Sequence, residues 1–219
     1  MPHRIAVGVL AVLLSAWSAS SQQGAPAGQW PTYGGDHAST KYSPLDQIDA
    51  SNFGSLEVVW RFKTDEVGPR PEYKLEGTPL MVGGTLYVTA GTQRSVVALD
   101  AASGGLRWVH TEEEGQRAVG VPRRLSGRGV SYWTDGVDER IFYVTLGFQL
   151  VALDAETGER VPTFGTDGRL DLKEAAFYGE GRQIDPVTGE IGIHSTPTVA
   201  RDVVIVGSAF ADAPAPPTH

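Results

Sequence analysis

Val97-Ala98-Leu99-Asp100-Ala101-Ala102-Ser103-Gly104 returns 54 residues later as Val151-Ala152-Leu153-Asp154-Ala155-Glu156-Thr157-Gly158, with six of the eight positions identical. Self-similarity at a fixed period of this size marks a repeat architecture and is read before any single motif. Each copy follows a run of β-branched and aromatic residues: Leu86-Tyr87-Val88-Thr89 before the first, Ile141-Phe142-Tyr143-Val144-Thr145 before the second. Such runs are strand formers. The Asp-Ala-x-Ser/Thr-Gly ending is a tight turn: the aspartate accepts from amides ahead of it and the glycine takes the positive φ. Val82-Gly83-Gly84-Thr85 reads as a hairpin turn, and Leu106-Arg107-Trp108-Val109 as a closing strand. The second copy has Arg160-Val161-Pro162 in the closing place, without a tryptophan.

Working outward, Thr196-Pro197-Thr198-Val199 and the run Val203-Val204-Ile205-Val206 echo Thr78-Pro79-Leu80-Met81 and the strand after it, so a third unit begins at His194. Four short strands per unit at about 50 residues are the pattern of β-propeller blades, with a solenoid of stacked hairpins as the competing arrangement. The expected fold is therefore all-β, with about three blades in residues 30–219. Eight blades at this spacing would need roughly 430 residues, so the chain is expected to be the N-terminal part of an incomplete ring. One short helix is expected between Asp171 and Phe177, inside an irregular insertion at 163–194.

Composition narrows the function. With 27 Gly and 14 Pro in 219 residues, turns recur throughout, yet 41% apolar residues are too many for a generically disordered chain. The net charge of −8 argues against a non-specific nucleic-acid binder. Zero cysteines exclude disulfides, thiolate zinc sites, iron–sulfur clusters, a cysteine nucleophile, covalent haem attachment and a lipidated anchor. The five histidines have no metal-ligand spacing, and no phosphate-binding glycine loop is present. His3 and Arg4, the apolar stretch from Ile5 to Trp17 and the small residues Ser18-Ala19-Ser20 form a secretory signal over residues 1–20, followed by a polar leader at 21–29. The alternative is a first buried helix. The apolar run falls short of the roughly 20 residues of a membrane span, so a periplasmic or secreted location is expected.

The motifs beyond the repeat resemble one family. Trp30-Pro31-Thr32-Tyr33-Gly34-Gly35-Asp36, Lys41-Tyr42-Ser43-Pro44-Leu45, Glu76-Gly77-Thr78-Pro79-Leu80, Gly127-Arg128-Gly129-Val130-Ser131-Tyr132-Trp133 and His194-Ser195-Thr196-Pro197-Thr198 occur in the order and spacing of the pyrroloquinoline quinone (PQQ) dependent dehydrogenases. The resemblance is most like the membrane-type glucose dehydrogenase branch and covers about residues 29–219. It implies an eight-bladed propeller with PQQ near its axis beside a calcium ion. It also implies oxidation of a sugar or alcohol hydroxyl, with electrons passed to a quinone or a separate cytochrome carrier. The protein's part in such an enzyme is orientation and electrostatics.

PQQ carries three carboxylates and an ortho-quinone, so cations and hydroxyls are sought around it. Arg128 matches the family's arginine and would clamp a carboxylate; the competing reading is a solvated turn arginine. Glu76 matches a family acid near the cofactor, against an exposed strand-start glutamate. Ser195 and Thr196 offer hydroxyls to the cofactor rim, against plain strand hydroxyls. Asp212 falls where some members place a calcium-binding acid, although a solvated loop acid is the simpler reading of one aspartate. The alcohol-oxidising branch often has adjacent cysteines shortly before this arginine. Here the stretch is Val121-Pro122-Arg123-Arg124-Leu125, which tilts the resemblance towards sugar or polyol oxidation. Trp60, Trp108 and Trp133 are read as packing between blades. No catalytic base is assigned in this chain. The rival from another class is a non-catalytic scaffold of envelope assembly, built from the same repeats.

Overall fold

The computed structural model describes residues 24–26, 28–64, 67, 74–119, 121, 126–175, 185–189, 191–193 and 195–210. The 1–20 signal, His194, Arg123, Arg124 and Asp212 lie outside the described residues. No helix among them is long and apolar enough to cross a membrane.

A short strand, β1 (Lys74–Leu75), precedes the first complete sheet. That sheet consists of β2 (Leu80–Val82), β3 (Thr85–Ala90), β4 (Ser95–Asp100) and β5 (Leu106–His110), antiparallel and in spatial order 2-3-4-5. Gly83 and Gly84, at φ 55° and 78°, make the two-residue hairpin between β2 and β3. The second unit starts with β6 (Ser126–Gly127), which pairs in parallel with β1. It continues with β7 (Ser131–Thr134), β8 (Glu139–Val144), β9 (Gln149–Asp154) and β10 (Arg169–Asp171), again a four-stranded antiparallel sheet. A short α-helix, α1 (Leu172–Ala175), follows β10 inside the span read as helical. Strands β11 (Ile191–Gly192), β12 (Thr198–Ala200), β13 (Val203–Ile205) and β14 (Ala209–Phe210) complete the description, with β12 paired to β13 and β11 to β14.

The sheets stack face to face, which explains why β4 and β9 are buried on consecutive residues, Ser95 to Leu99 and Leu150 to Leu153. Along β4, Val96 and Ala98 face the second sheet, where they meet Ile141, Tyr143, Val151 and Leu153. Val97 and Leu99, one pleat over, face Trp60 and Phe62 on the other side. Strand β9 repeats the alternation, with Leu150 and Ala152 turned towards Ile191 and Ile193 and towards Val199 of the third unit. A strand buried on both faces loses the polar alternation of a surface sheet. Each fully buried Val, Leu or Ile contributes about 1.5–3 kcal/mol, so these two strands anchor the stack.

The repeated turn does two jobs. Asp100 Oδ1 accepts from Ala102 N (3.2 Å) and Ser103 N (2.9 Å), and Asp154 Oδ1 accepts from Glu156 N (3.1 Å) and Thr157 N (2.8 Å). Hydrogen bonds from Arg107 and then Ser103 pull the Asp100 carboxyl down to about 2. The glycines that follow, Gly104 at φ 71° and Gly158 at φ 73°, also form shelves for tryptophans. A Cβ on Gly104 would sit 2.5 Å from the Trp60 ring, and one on Gly158 2.5 Å from the Trp108 ring. Trp60 Nε1 donates to Ala101 O and Trp108 Nε1 to Ala155 O, each at 3.1 Å. Each indole thus docks one unit onto the turn of the next, which is the packing role read for them. Trp60 itself lies outside any strand. Trp133 sits on β7 beneath the Arg140 guanidinium, 4.9 Å from its ring centroid.

Two sequence expectations change. The closing strand of the second unit is not at residues 160–162. Arg160 makes one isolated bridge to Leu153, Pro162 has no N–H for a ladder, and β10 takes the outer place seven residues beyond it. The insertion is also less irregular than it reads. Asp185-Pro186-Val187-Thr188-Gly189 forms the same turn, with Asp185 Oδ1 accepting from Val187 N (2.8 Å) and Thr188 N (2.6 Å), and Gly189 N donating to Asp185 O (2.9 Å). Buried Lys173 donates to Pro186 O at 3.2 Å and ties this turn to α1.

Candidate cofactor site

Three of the residues singled out by sequence stand shortly before the first strand of a unit, though not at matching positions. Glu76 precedes β2, Arg128 precedes β7 and Thr196 precedes β12. The parallel register of β1 on β6, Lys74 with Ser126 and Leu75 with Gly127, brings Glu76 beside Arg128 at the next step. The contact is a charge-assisted hydrogen bond from Arg128 Nη1 to Glu76 Oε2. Lys74 Nζ lies 3.5 Å from the other carboxylate oxygen. Desolvation alone would raise the Glu76 carboxyl; the Arg128 charge, then that of Lys74, outweighs it and holds the group below the usual carboxylate range. Glu76 therefore remains an anion at neutral pH.

Close backbone approach keeps these entries together. A Cβ on Gly77 would stand 2.8 Å from Gly129 N, and one on Gly129 would stand 3.1 Å from Thr196 Oγ1. Gly129 N donates to Thr89 Oγ1 (3.2 Å), Thr196 Oγ1 donates to Arg128 O (2.5 Å), and Ser131 Oγ donates to Pro197 O. Gly77→Ala is accordingly expected to destabilise by about 1–3 kcal/mol through overpacking against backbone. A urea midpoint unchanged from the parent would show that the approach is looser than described.

The arrangement opens on a cavity of about 340 Å³ lined by Tyr33, Glu76, Arg128, Ser195, Thr196 and Thr198. The Arg128 side chain is 9% exposed, which replaces the solvated turn arginine with a buried cation. Its Nε is buried and meets no hydrogen-bond partner among the described residues. A buried donor left unpaired costs about 1–3 kcal/mol. The sequence reading missed Arg94, in the turn between β3 and β4, which is buried with φ 53° and donates from Nη1 to Thr145 O at 3.3 Å. Burial, then the nearby Arg128 charge, brings its guanidinium down to about 10. A lone arginine in a hairpin between buried apolar strands was the available signal. No group of three or more His, Asp or Glu that could hold a metal occurs among the described residues.

Stacked four-stranded antiparallel sheets, docked by tryptophans and carrying a buried arginine paired with a more exposed carboxylate ahead of their first strands, define a protein of the β-propeller class. Residues 30–218 match the family PQQ glucose/ethanol/alcohol dehydrogenase, β-propeller domain, and the chain belongs to that family. The glycerol dehydrogenase large subunit of Gluconobacter thailandicus is 32% identical, over 89% of this chain and 26% of its own length. The quinoprotein glucose dehydrogenase of Gluconobacter oxydans is 30% identical, over 96% and 27%. A solved quinohemoprotein alcohol dehydrogenase from Pseudomonas putida HK5 superimposes with a TM-score of 0.63 at 26% identity, over 84% of this chain and 23% of that one. The chain spans about a quarter of the length of the curated relatives it matches.

Proposed function

We propose that this chain supplies the first blades of an exported PQQ-dependent dehydrogenase that oxidises a sugar or alcohol hydroxyl to a carbonyl, with electrons passed to a quinone or a separate carrier. The observation that carries the reading is the buried Arg128 guanidinium, engaged by Glu76 through Nη1 and lining the cavity. The residues fit the cofactor's chemistry. The Arg128 guanidinium at the cavity wall suits a ligand carboxylate, and ionised Glu76 suits an N–H donor. Thr196 spends its proton on Arg128 O and keeps oxygen lone pairs for the cavity side. When bound, PQQ supplies the hydride acceptor, assisted by a calcium ion for which Asp212 is the ligand proposed in this chain.

The absence of cysteine before Arg128 supports the sugar or polyol side of the family. The basic, apolar and small-residue order of residues 1–20 supports export. No residue here is assigned as the base that removes the hydroxyl proton. The test is reconstitution. After gel filtration of this chain with PQQ and calcium, PQQ absorbance is expected to co-elute with protein, while dye-linked oxidation of glucose or ethanol stays at the no-protein level. Turnover above that control would overturn the assignment of the base to other blades. Failure of PQQ to co-elute would favour the non-catalytic scaffold.

A further inference from the structure

The N-terminal segment pairs with the first sheet at the free edge of β2. Trp30 N donates to Met81 O (2.7 Å) and Met81 N to Trp30 O (3.1 Å), so residue 30 bridges the free edge of β2, the first strand of its sheet. The loop beyond it is fixed on itself. Gly35 N donates to Thr32 O (3.0 Å) and Lys41 N to Gly34 O (2.9 Å), while the Asp36 carboxylate accepts from Thr40 N (2.9 Å) and Thr40 Oγ1 (2.8 Å). A second cavity of about 110 Å³ lies between this loop and Ser131, Tyr132, Pro197 and Val199 at β7 and β12. Tyr33 and Thr198 line both this cavity and the larger one that holds Glu76, Arg128 and Thr196.

We infer that Tyr33 is a further cofactor-binding residue, whose ring is the shared wall of the two cavities and packs against a planar anionic ligand held by Arg128. The inference rests on the PQQ reading of the site. Tyr33 is half exposed, so its ring has free surface to offer a ligand. Its loop is tied at Trp30 and Asp36, so little ordering is needed when the ligand arrives. An aromatic side chain offers a planar partner a large, rigid contact at a small entropic cost. The smaller cavity carries Asp36 and His37, and a ring in the shared wall keeps the ligand from shifting into it.

The test is a PQQ titration of this chain with calcium present, followed by quenching of tryptophan fluorescence, for the parent, Tyr33→Ala, Tyr33→Leu, Tyr33→Phe and Arg128→Ala. Tyr33→Ala and Tyr33→Leu are expected to weaken binding about three- to tenfold, and Tyr33→Phe to stay within about twofold, because the ring carries the contact. Tyr33→Leu retains apolar bulk and guards against a loop that fails to fold after truncation to alanine. Parental affinity in Tyr33→Ala and Tyr33→Leu, with Arg128→Ala impaired, overturns the role of Tyr33 and leaves the cofactor reading standing. Absence of saturable binding in the parent, or parental affinity in Arg128→Ala, overturns both.

Discussion

Trp108→Ala is expected to lower the unfolding free energy by about 3–5 kcal/mol, a large share of the roughly 5–15 kcal/mol that a domain possesses. The indole is 9% exposed, its centroid lies 5.9 Å from that of Tyr87, and its Nε1 donates to Ala155 O at 3.1 Å. Truncation empties the space above Gly158 and removes the contact that carries the first sheet onto the second. The Ala155 carbonyl keeps the Tyr87 hydroxyl at 3.1 Å, so the loss comes mainly from packing. Trp108→Phe should recover most of the ring contact and lose the indole hydrogen bond, about 1 kcal/mol. Urea unfolding followed by far-ultraviolet circular dichroism reads both, with Val137→Ala, at a 90% exposed position, as the unaffected control. A Trp108→Ala midpoint equal to that of the control would mean that the docking is decorative.

The second large effect is on binding. Arg128→Ala is expected to weaken PQQ binding about 10- to 100-fold, the range for losing charge-assisted hydrogen bonds in a desolvated site. Its effect on stability should be smaller, because the half-exposed Glu76 carboxylate can rehydrate and keeps Lys74 nearby. Arg128→Lys should not restore affinity. One ammonium replaces a planar fork whose separate nitrogens reach Glu76 and the ligand in different directions. Equilibrium dialysis of the three proteins against PQQ checks this order, and parental affinity in Arg128→Ala would contradict it.

The fold was legible because the repeat is short and its chemistry local. An aspartate, a small polar residue and a glycine at fixed offsets close the same turn wherever they occur, and the strands before them bury both faces. The second function of the glycine, as a shelf for a tryptophan from the neighbouring unit, was not legible, since Gly104 meets Trp60 and Gly158 meets Trp108 only after the units stack. Asp185–Gly189 was overlooked for the opposite reason. Its turn residues are plain, but no β-rich run precedes them. The outer strand of the second sheet was misplaced because the local sequence at Arg160-Val161-Pro162 occupies the right offset, and only the missing N–H of Pro162 argues against it.

For the site, Arg128, Glu76 and Thr196 were found from motifs, yet their association was hidden. It depends on two residues of parallel pairing between β1 and β6 and on glycines that let the backbones touch. Arg94 escaped because it belongs to no local pattern, being a buried cation in a hairpin, whereas Tyr33 stands in the Trp30–Asp36 motif but nothing local marks it as a cavity residue. The place of Tyr33 emerges only when its loop meets the entries to β7 and β12.

The central claim is that these first-strand entries build a receptor for the carboxylates of PQQ. Isothermal titration of this chain with PQQ and with its trimethyl ester, calcium present in both, tests it most directly. The ester keeps the planar quinone and lacks the negative charges. Saturable binding of PQQ with little or no binding of the ester, and loss of that discrimination in Arg128→Ala, is the predicted result. Equal binding of the two compounds, or no binding of PQQ, would contradict the account.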